Sequence, residues 1–431
     1  MKYEPVDSQL FINNRQRLNP LLKSNSIVIL HSNDIMPTNA DGVMPFKQNS
    51  DFYYLTGIDQ EESILILYPD ALEEKHREIL FVRRTDQHIA VWEGEKLSLH
   101  QASKLSGIQT VHWTEQFDAV LQSLIYQSEY AYLLSNEHIR SESRVVTRNE
   151  RYINSFIKQF PLQKLERLAP LMTQLRMVKD QLEIAQIRRA CQITEDGFRR
   201  VLKYIRPGVG EWKIEAEYAH EFLRQRSNGF AYTPIIASGK NSCILHYVDN
   251  HEICLDGEII LMDVGAEYAN WNADMTRTVP VNGKFSKRQR QVYDAVLRTL
   301  RYANTILRPG TLYADYQNAV IEFIEGELIG LGLIDAEEAK QQGPDKALVK
   351  RYFMHGTSHH LGLDVHDVSC RHTPFQVGNV FTIEPGIYIP EEAIGIRLEN
   401  NYLIGEKENL DLMATIPIEA DEIEALMASQ H

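Results

Sequence analysis

The sequence predicts two domains: an α/β domain over residues 1–168, then an α+β domain over residues 169–431 built from two pseudo-symmetric halves. Three observations predict this. In the first part, short apolar runs bounded by turn residues alternate with helical segments. Near residue 168 an apolar pattern of helical spacing begins and runs for many turns. After it, one strand pattern occurs twice.

The strand runs of the first part are "NSIVILHS", "ESILILYP", "EILFVRR" and "YAYLLS", and the polar "DALEEKHRE" between two of them reads as a turn or short helix. Strands interleaved with helices make an α/β domain. The stretch 168–205 then reads as one long helix closed by "RPGVG", with Pro207 and Gly208 as the stop. Further helices are expected in "EWKIEAEYAHEFLRQRS", in "SKRQRQVYDAVLRTLRYANTIL", where Ser286 and Gln289 have capping-box spacing, and in "YADYQNAVIEFIEGELIGLG". Strand pairs are expected over 257–281 and 378–405.

A chain of 431 residues, 43% hydrophobic and 24% charged, is long enough to bury a large core. The net charge of −14 argues against a nucleic-acid partner, which needs a basic face. No apolar run has the length of a membrane span, and "MKYEPVDSQLFINNR" lacks a signal core. Cys191, Cys243, Cys254 and Cys370 have no C-x-x-C spacing, which predicts buried, inert thiols in a reducing cytoplasm.

The repeated strand pattern carries acids. "GEIILMDVG" ends its apolar run at Asp263, and "GNVFTIEPG" ends its run at Glu384. A second acid follows each: Asp274 eleven residues on, and Glu399 fifteen residues on. A histidine precedes each, His246 in "LHYV" and His366 in "VHDV". A carboxylate that interrupts a core strand must be paired or hold a metal. Arg277 and Arg397 are the nearby cations. Arg397 stands two residues before Glu399, so on a strand the two share a face, which suits an arginine orienting a ligand carboxylate. Four carboxylates and one imidazole would make a cage for two divalent ions, with about four charges of each sign. Manganese suits such oxygen-rich ligation, as do zinc, cobalt and iron(II).

The pieces "DVGAEYANWNADMTRTV", "HGTSHHLGLDVHD", "TIEPGIYI" and "GIRLEN" resemble the ligand motifs of the pita-bread metallopeptidases, and of the aminopeptidase P group among them. "QNSDFYYLTG" resembles the first domain of that group, so the likeness spans nearly the whole chain. The resemblance implies a pita-bread catalytic domain. It implies an aminopeptidase that releases the residue before a penultimate proline, using a hydroxide shared by two divalent ions. Carried over position by position, it makes Asp263, Asp274, His359, Glu384 and Glu399 the ligands, with Asp274 and Glu399 bridging. Glu384 would also accept a proton from the attacking water. His246, His355 and His366 would serve substrate and reaction centre, with Arg397 as support. His360, where the group usually has an apolar or aromatic residue, would only pack.

Xaa-Pro dipeptidases share these ligands but usually read H-G-x-G-H where this chain has Ser358, giving H-G-x-S-H. A metal-free binding module of the same fold would have lost ligands. The chain departs from the group at Glu399-Asn400, where Glu-Asp is common, and in short connections from Glu384 to Arg397 and from His366 to Gly378. By the same resemblance Asp41 would meet the substrate N-terminus, and Trp92 would reach a neighbour's site in a homodimer or homotetramer.

Overall fold

The computed structural model describes residues 3–141 and 144–429. The chain divides into two compact units between Arg176 and Met177. The helix Ala169–Met177 therefore belongs almost wholly to the first unit, beyond the 168/169 boundary expected from sequence.

The first unit contains β1 (Ser26–His31), β2 (Ile64–Leu67), β3 (Glu78–Val82), β4 (Thr110–Trp113), β5 (Tyr130–Leu133) and β6 (Lys164–Arg167). They form one sheet in the order β4-β3-β2-β1-β5-β6. Only β2 runs antiparallel to its neighbours. Every residue of β1 and β2 is buried, which explains their unbroken apolar runs. Ile27, Ile29, Ile66 and Phe81 pack against Phe117, Leu121 and Phe156 of the covering helices. The segment 70–78 makes one short turn of helix, Glu74–His76.

The long helix expected over 168–205 is two helices, Ala169–Met177 and Gln181–Leu202. Asp180 causes the break. Its side chain accepts from Leu182 N (2.8 Å), while Glu183 accepts from Asp180 N (3.1 Å), a reciprocal cap. Apolar periodicity reads through so short an interruption; the D-x-x-E spacing was the missed signal. The helices Glu211–Arg224, Lys287–Ile306 and Tyr313–Gly330 form where expected, the second capped by Ser286 and Gln289.

The second unit's strands are β7 (Gly229–Phe230), β8 (Ile235–Ser238), β9 (Ile259–Val264), β10 (Ala266–Tyr268), β11 (Trp271–Asn272), β12 (Met275–Pro280), β13 (Val380–Ile383), β14 (Gly386–Ile389), β15 (Ile394–Arg397), β16 (Asn400–Leu403) and β17 (Leu410–Asp411). The two halves share one plan. An outgoing strand reaches an acid, an inner hairpin follows, and a second acid opens the returning strand. In the first half this is β9, Asp263, β10–β11, Asp274, β12, with Asp263 opposite Thr276. In the second it is β13, Glu384, β14–β15, Glu399, β16, with Ile383 opposite Asn400. Gly265 makes the first crossing possible, since a Cβ there would lie 1.8 Å from Ala273 O.

Cys191 and Cys254 are buried, but Cys243 is half-buried and Cys370 exposed. The expectation of four buried thiols fails at Cys370 because it lies in an irregular segment that no strand or helix includes. Among the described residues, no helix is long and apolar enough to cross a membrane.

Candidate metal centre

The acids of the two halves converge. Asp274, His359 and Glu399 each offer a ligand atom, and these atoms lie within 4.8 Å of one another. His359 Nε2 is 3.3 Å from Asp274 Oδ2 and 3.6 Å from Glu384 Oε1. Asp263 joins through Tyr232, whose hydroxyl lies 2.6 Å from both Asp263 Oδ1 and Asp274 Oδ1. All five candidate ligands therefore belong to one cluster.

Arg397 is the single arginine or lysine paired with these acids among the described residues. Its Nη2 donates to Asp263 Oδ2 (2.6 Å), its Nε to Thr276 Oγ1 (3.1 Å) and its Nη1 to the Tyr388 hydroxyl (2.9 Å). It reaches Glu399 only indirectly, because Thr276 Oγ1 donates onward to Glu399 Oε2 (2.7 Å). Four carboxylates against one guanidinium leave an excess of negative charge in a buried place. Two details fit divalent cations there. Glu399 Oε1 is buried with no hydrogen-bond partner among the described residues. Tyr232 has one proton for two carboxylates. A cation bound by these oxygens would satisfy both.

Crowding shows in the proton affinities. Burial pushes Glu384 up to about 7, against the pull of His359 and Arg397. Burial, then the charges of Asp274 and Glu384, hold Glu399 far above the ordinary range, and burial also raises Asp263. Burial pulls His359 down, but Asp274 and Glu384 outweigh it and the net direction is up. A carboxyl raised in the fold gives stability that is fully present below its unfolded value and lost as pH rises through the folded one. Metal-free Glu384→Gln should therefore match metal-free wild type below about pH 4.5 and be more stable by about 3 kcal/mol above about pH 7. Urea titrations of chelator-treated proteins across this range measure it; a difference independent of pH would rule this account out.

The four histidines of "HGTSHHLGLDVHD" occupy different surroundings. His355 places Nε2 2.8 Å from the Tyr388 hydroxyl and Nδ1 4.0 Å from Glu384 Oε2. Burial, with Arg397 and His246 nearby, pulls His355 down to about 4. His366 is exposed, its ring edge-on to His359 with centroids 4.4 Å apart. His246 is exposed in the turn after the short helix Gly239–Cys243. His360 is buried, lies 4.0 Å from the Phe381 ring centroid, and has an Nδ1 without a partner among the described residues. Since an unmade buried hydrogen bond costs about 1–3 kcal/mol, His360→Phe should raise the melting temperature. It should also keep turnover within about threefold of wild type, because the ring faces Phe381 and not the acids. Steady-state kinetics beside a thermal melt decide this; a hundredfold loss of turnover would contradict it.

Arg277 corrects an expectation. It does not pair with the acids but donates to Pro417 O, Thr276 O, Glu399 O and Asn400 Oδ1, fully buried. Strand alternation explains this: Thr276 and Thr278 turn toward Glu399 and Arg397, and Arg277 turns the other way. Asn400 serves that reverse side too, donating to Asp411 Oδ2 at 2.7 Å. Thr276, Tyr232, Tyr388 and Asn401 were missed. Thr276 was legible, two residues from Asp274 on one strand face. Asn401 brackets the Asp274 peptide, accepting from its N–H (3.1 Å) and donating to its carbonyl (2.6 Å). Tyr388 lies within "TIEPGIYI", four residues after Glu384, whereas nothing near Tyr232 in sequence marks it. Asp41 and Trp92 belong to the first unit, where both are exposed.

Comparison with known proteins agrees with this geometry. Residues 185–406 match the model of metallopeptidase family M24, and residues 11–133 match that of the aminopeptidase P N-terminal domain. The chain is 33% identical to the Xaa-Pro aminopeptidase of Escherichia coli strain K12, covering 98% of both chains. It superposes on a zinc-substituted Escherichia coli aminopeptidase P in complex with product, with TM-score 0.86, 32% identity and coverage of 99% and 100%. It also matches the proline aminopeptidase P II of Yersinia pestis, with TM-score 0.84, 32% identity and coverage of 98% and 99%. The chain, with its four acids and His359 gathered between two similar halves, belongs to the M24 metallopeptidases and has the two-domain, pita-bread architecture of aminopeptidase P.

Proposed function

We propose that this metallopeptidase removes the N-terminal residue from peptides with proline in the second position. The observation that carries the reading is the complete cluster of Asp263, Asp274, His359, Glu384 and Glu399 in a chain whose residues 11–133 match the aminopeptidase P N-terminal domain. These five residues would hold two divalent ions, with Asp274 and Glu399 shared between them. Manganese is the favoured metal for a set of four carboxylates and one imidazole. Bound there, the pair of ions supplies a nucleophilic water at neutral pH and polarises the scissile carbonyl.

The remaining roles fall to the chain's own side chains. Glu384 takes the proton of the attacking water and passes it toward the leaving proline nitrogen. His355, His246 and His366 donate hydrogen bonds to the substrate carbonyls and the tetrahedral intermediate. Arg397 orients Asp263 and, through Tyr388, the His355 ring. Asp41 receives the substrate's N-terminal ammonium, and Trp92 serves a neighbouring subunit's site in a homodimer or homotetramer. The enzyme works in the cytoplasm.

Hydrolysis of Arg-Pro-Pro beside Gly-Pro with manganese tests the reading. Release of arginine from the tripeptide, with little cleavage of the dipeptide, is expected. The reverse preference would make the chain an Xaa-Pro dipeptidase, and bound metal below about a tenth of an equivalent with no activity on adding manganese would refute both.

A further inference from the structure

A buried ion pair lies behind the histidine-rich turn. Lys179 Nζ is 2.8 Å from Asp367 Oδ2, and each side chain is only 1% exposed. A pair this deep gains little net stability over apolar side chains of the same size. Its position gives it another use. Asp367 directly follows His366, and its N–H donates to His360 O at 2.9 Å. The same oxygen lies 2.9 Å from His359 Nδ1, so a proton on Nδ1 leaves Nε2 facing Asp274 and Glu384.

Other contacts close around the same turn. Gly362 lies directly against the pair: a Cβ there would be 2.3 Å from Asp367 Oδ2 and 3.0 Å from Lys179 Cε. Asn272, two residues before Asp274, donates N–H and Nδ2 to Gly362 O at 3.0 and 2.9 Å. Lys179 is itself pinned, since its N–H donates to Gly378 O at 2.9 Å. The lysine thus reaches the turn from a backbone position fixed to the start of the second acid repeat.

We propose that Lys179 and Asp367 are a positioning pair that pins the turn 360–367 and so places His366 against the His359 ring. Neither touches the reacting atoms. The proposal rests on the peptidase reading above and assigns the pair an effect on turnover through His366, distinct from fold stability.

Lys179→Met alone would take the ammonium away from the buried Asp367 carboxylate and would also remove its pull on Glu183. The informative variant is Lys179→Met with Asp367→Leu, which removes both charges together, so that Glu183 loses the pull of one and the push of the other. It should melt no lower than wild type, as expected when a buried pair is replaced by apolar groups. Its kcat on Arg-Pro-Pro should fall by about 10- to 100-fold, with KM changed by less than about threefold. In metal-free protein, the imidazole 1H–15N correlations of His366 and His359 should move while that of His355 stays. Asp367→Asn, which keeps the shape but leaves the buried Lys179 ammonium without its carboxylate, should melt lower than wild type and carries the same kinetic and resonance expectations should the double variant fail to fold. Added to His366→Ala, Asp367→Asn should cost little further turnover, since both act through one ring. Wild-type kcat with unmoved resonances, or losses that multiply, would overturn the proposal. A wild type inactive on Xaa-Pro peptides would instead defeat the peptidase reading, and the resonance measurement would still report on the pair.

Discussion

Asp274→Ala and Glu399→Ala should each lose a metal ion and about three orders of magnitude or more in turnover. Both residues are buried, at 5% and 1% exposure, and both open a returning strand where the two halves meet. Neither can be replaced by a neighbour sliding in. Asn401 brackets the Asp274 peptide, and the Glu399 N–H donates to Thr276 O at 3.0 Å. The sign of the stability change depends on metal. Without metal, Glu399 sits among like charges with one oxygen unpartnered, so metal-free Glu399→Ala should be at least as stable as metal-free wild type. With manganese the order reverses, because only wild type gains the full binding free energy. Metal analysis with thermal melts in chelator and in manganese measures both effects. Two full equivalents with wild-type turnover in either variant would mean that the shared-ligand arrangement is wrong.

The second large effect is at Arg397. Arg397→Lys should lower kcat by about 100-fold even though the charge is kept. The guanidinium makes three bonds in three directions, to Asp263, Thr276 and Tyr388. An ammonium at the end of a flexible stem can reproduce the charge but not that fork. The loss would spread along a chain, since Tyr388 lies 2.8 Å from His355 Nε2. Arg397→Met should be worse, leaving Asp263 without its ion pair at a cost of about 3–5 kcal/mol. Kinetics of both variants at saturating manganese, beside their melting curves, separate charge from geometry. A fully active Arg397→Lys would show that the cation alone matters there.

The ion-pair partner of the acids shows how far linear patterns reach. From sequence Arg277 and Arg397 were both candidate partners of the acids, and only Arg397, on one strand face with Glu399, had a stated role. Strand alternation sends one into the acid cluster and the other to backbone carbonyls on the reverse side. Counting residues along β12 from Asp274 would have predicted this, since position 276 shares its face and 277 does not. Tyr232 could not be found that way. It lies 31 and 42 residues from the two acids it touches, and only the fold closes those loops. The break at Asp180 is a third case: a local cap interrupts an apolar pattern without disturbing its period.

By itself the sequence determined the two-domain plan, the duplicated strand–acid–hairpin–acid unit and the identity of the four converging carboxylates. These are written in apolar periodicity and in acids placed where core strands end, and both are local properties of the chain. Only the tertiary structure decided which cation meets them, which hydroxyl and amide groups hold them, and which face each histidine of "HGTSHHLGLDVHD" presents. Those contacts join residues far apart in sequence, and their partners are selected by distance and burial, which local spacing does not encode.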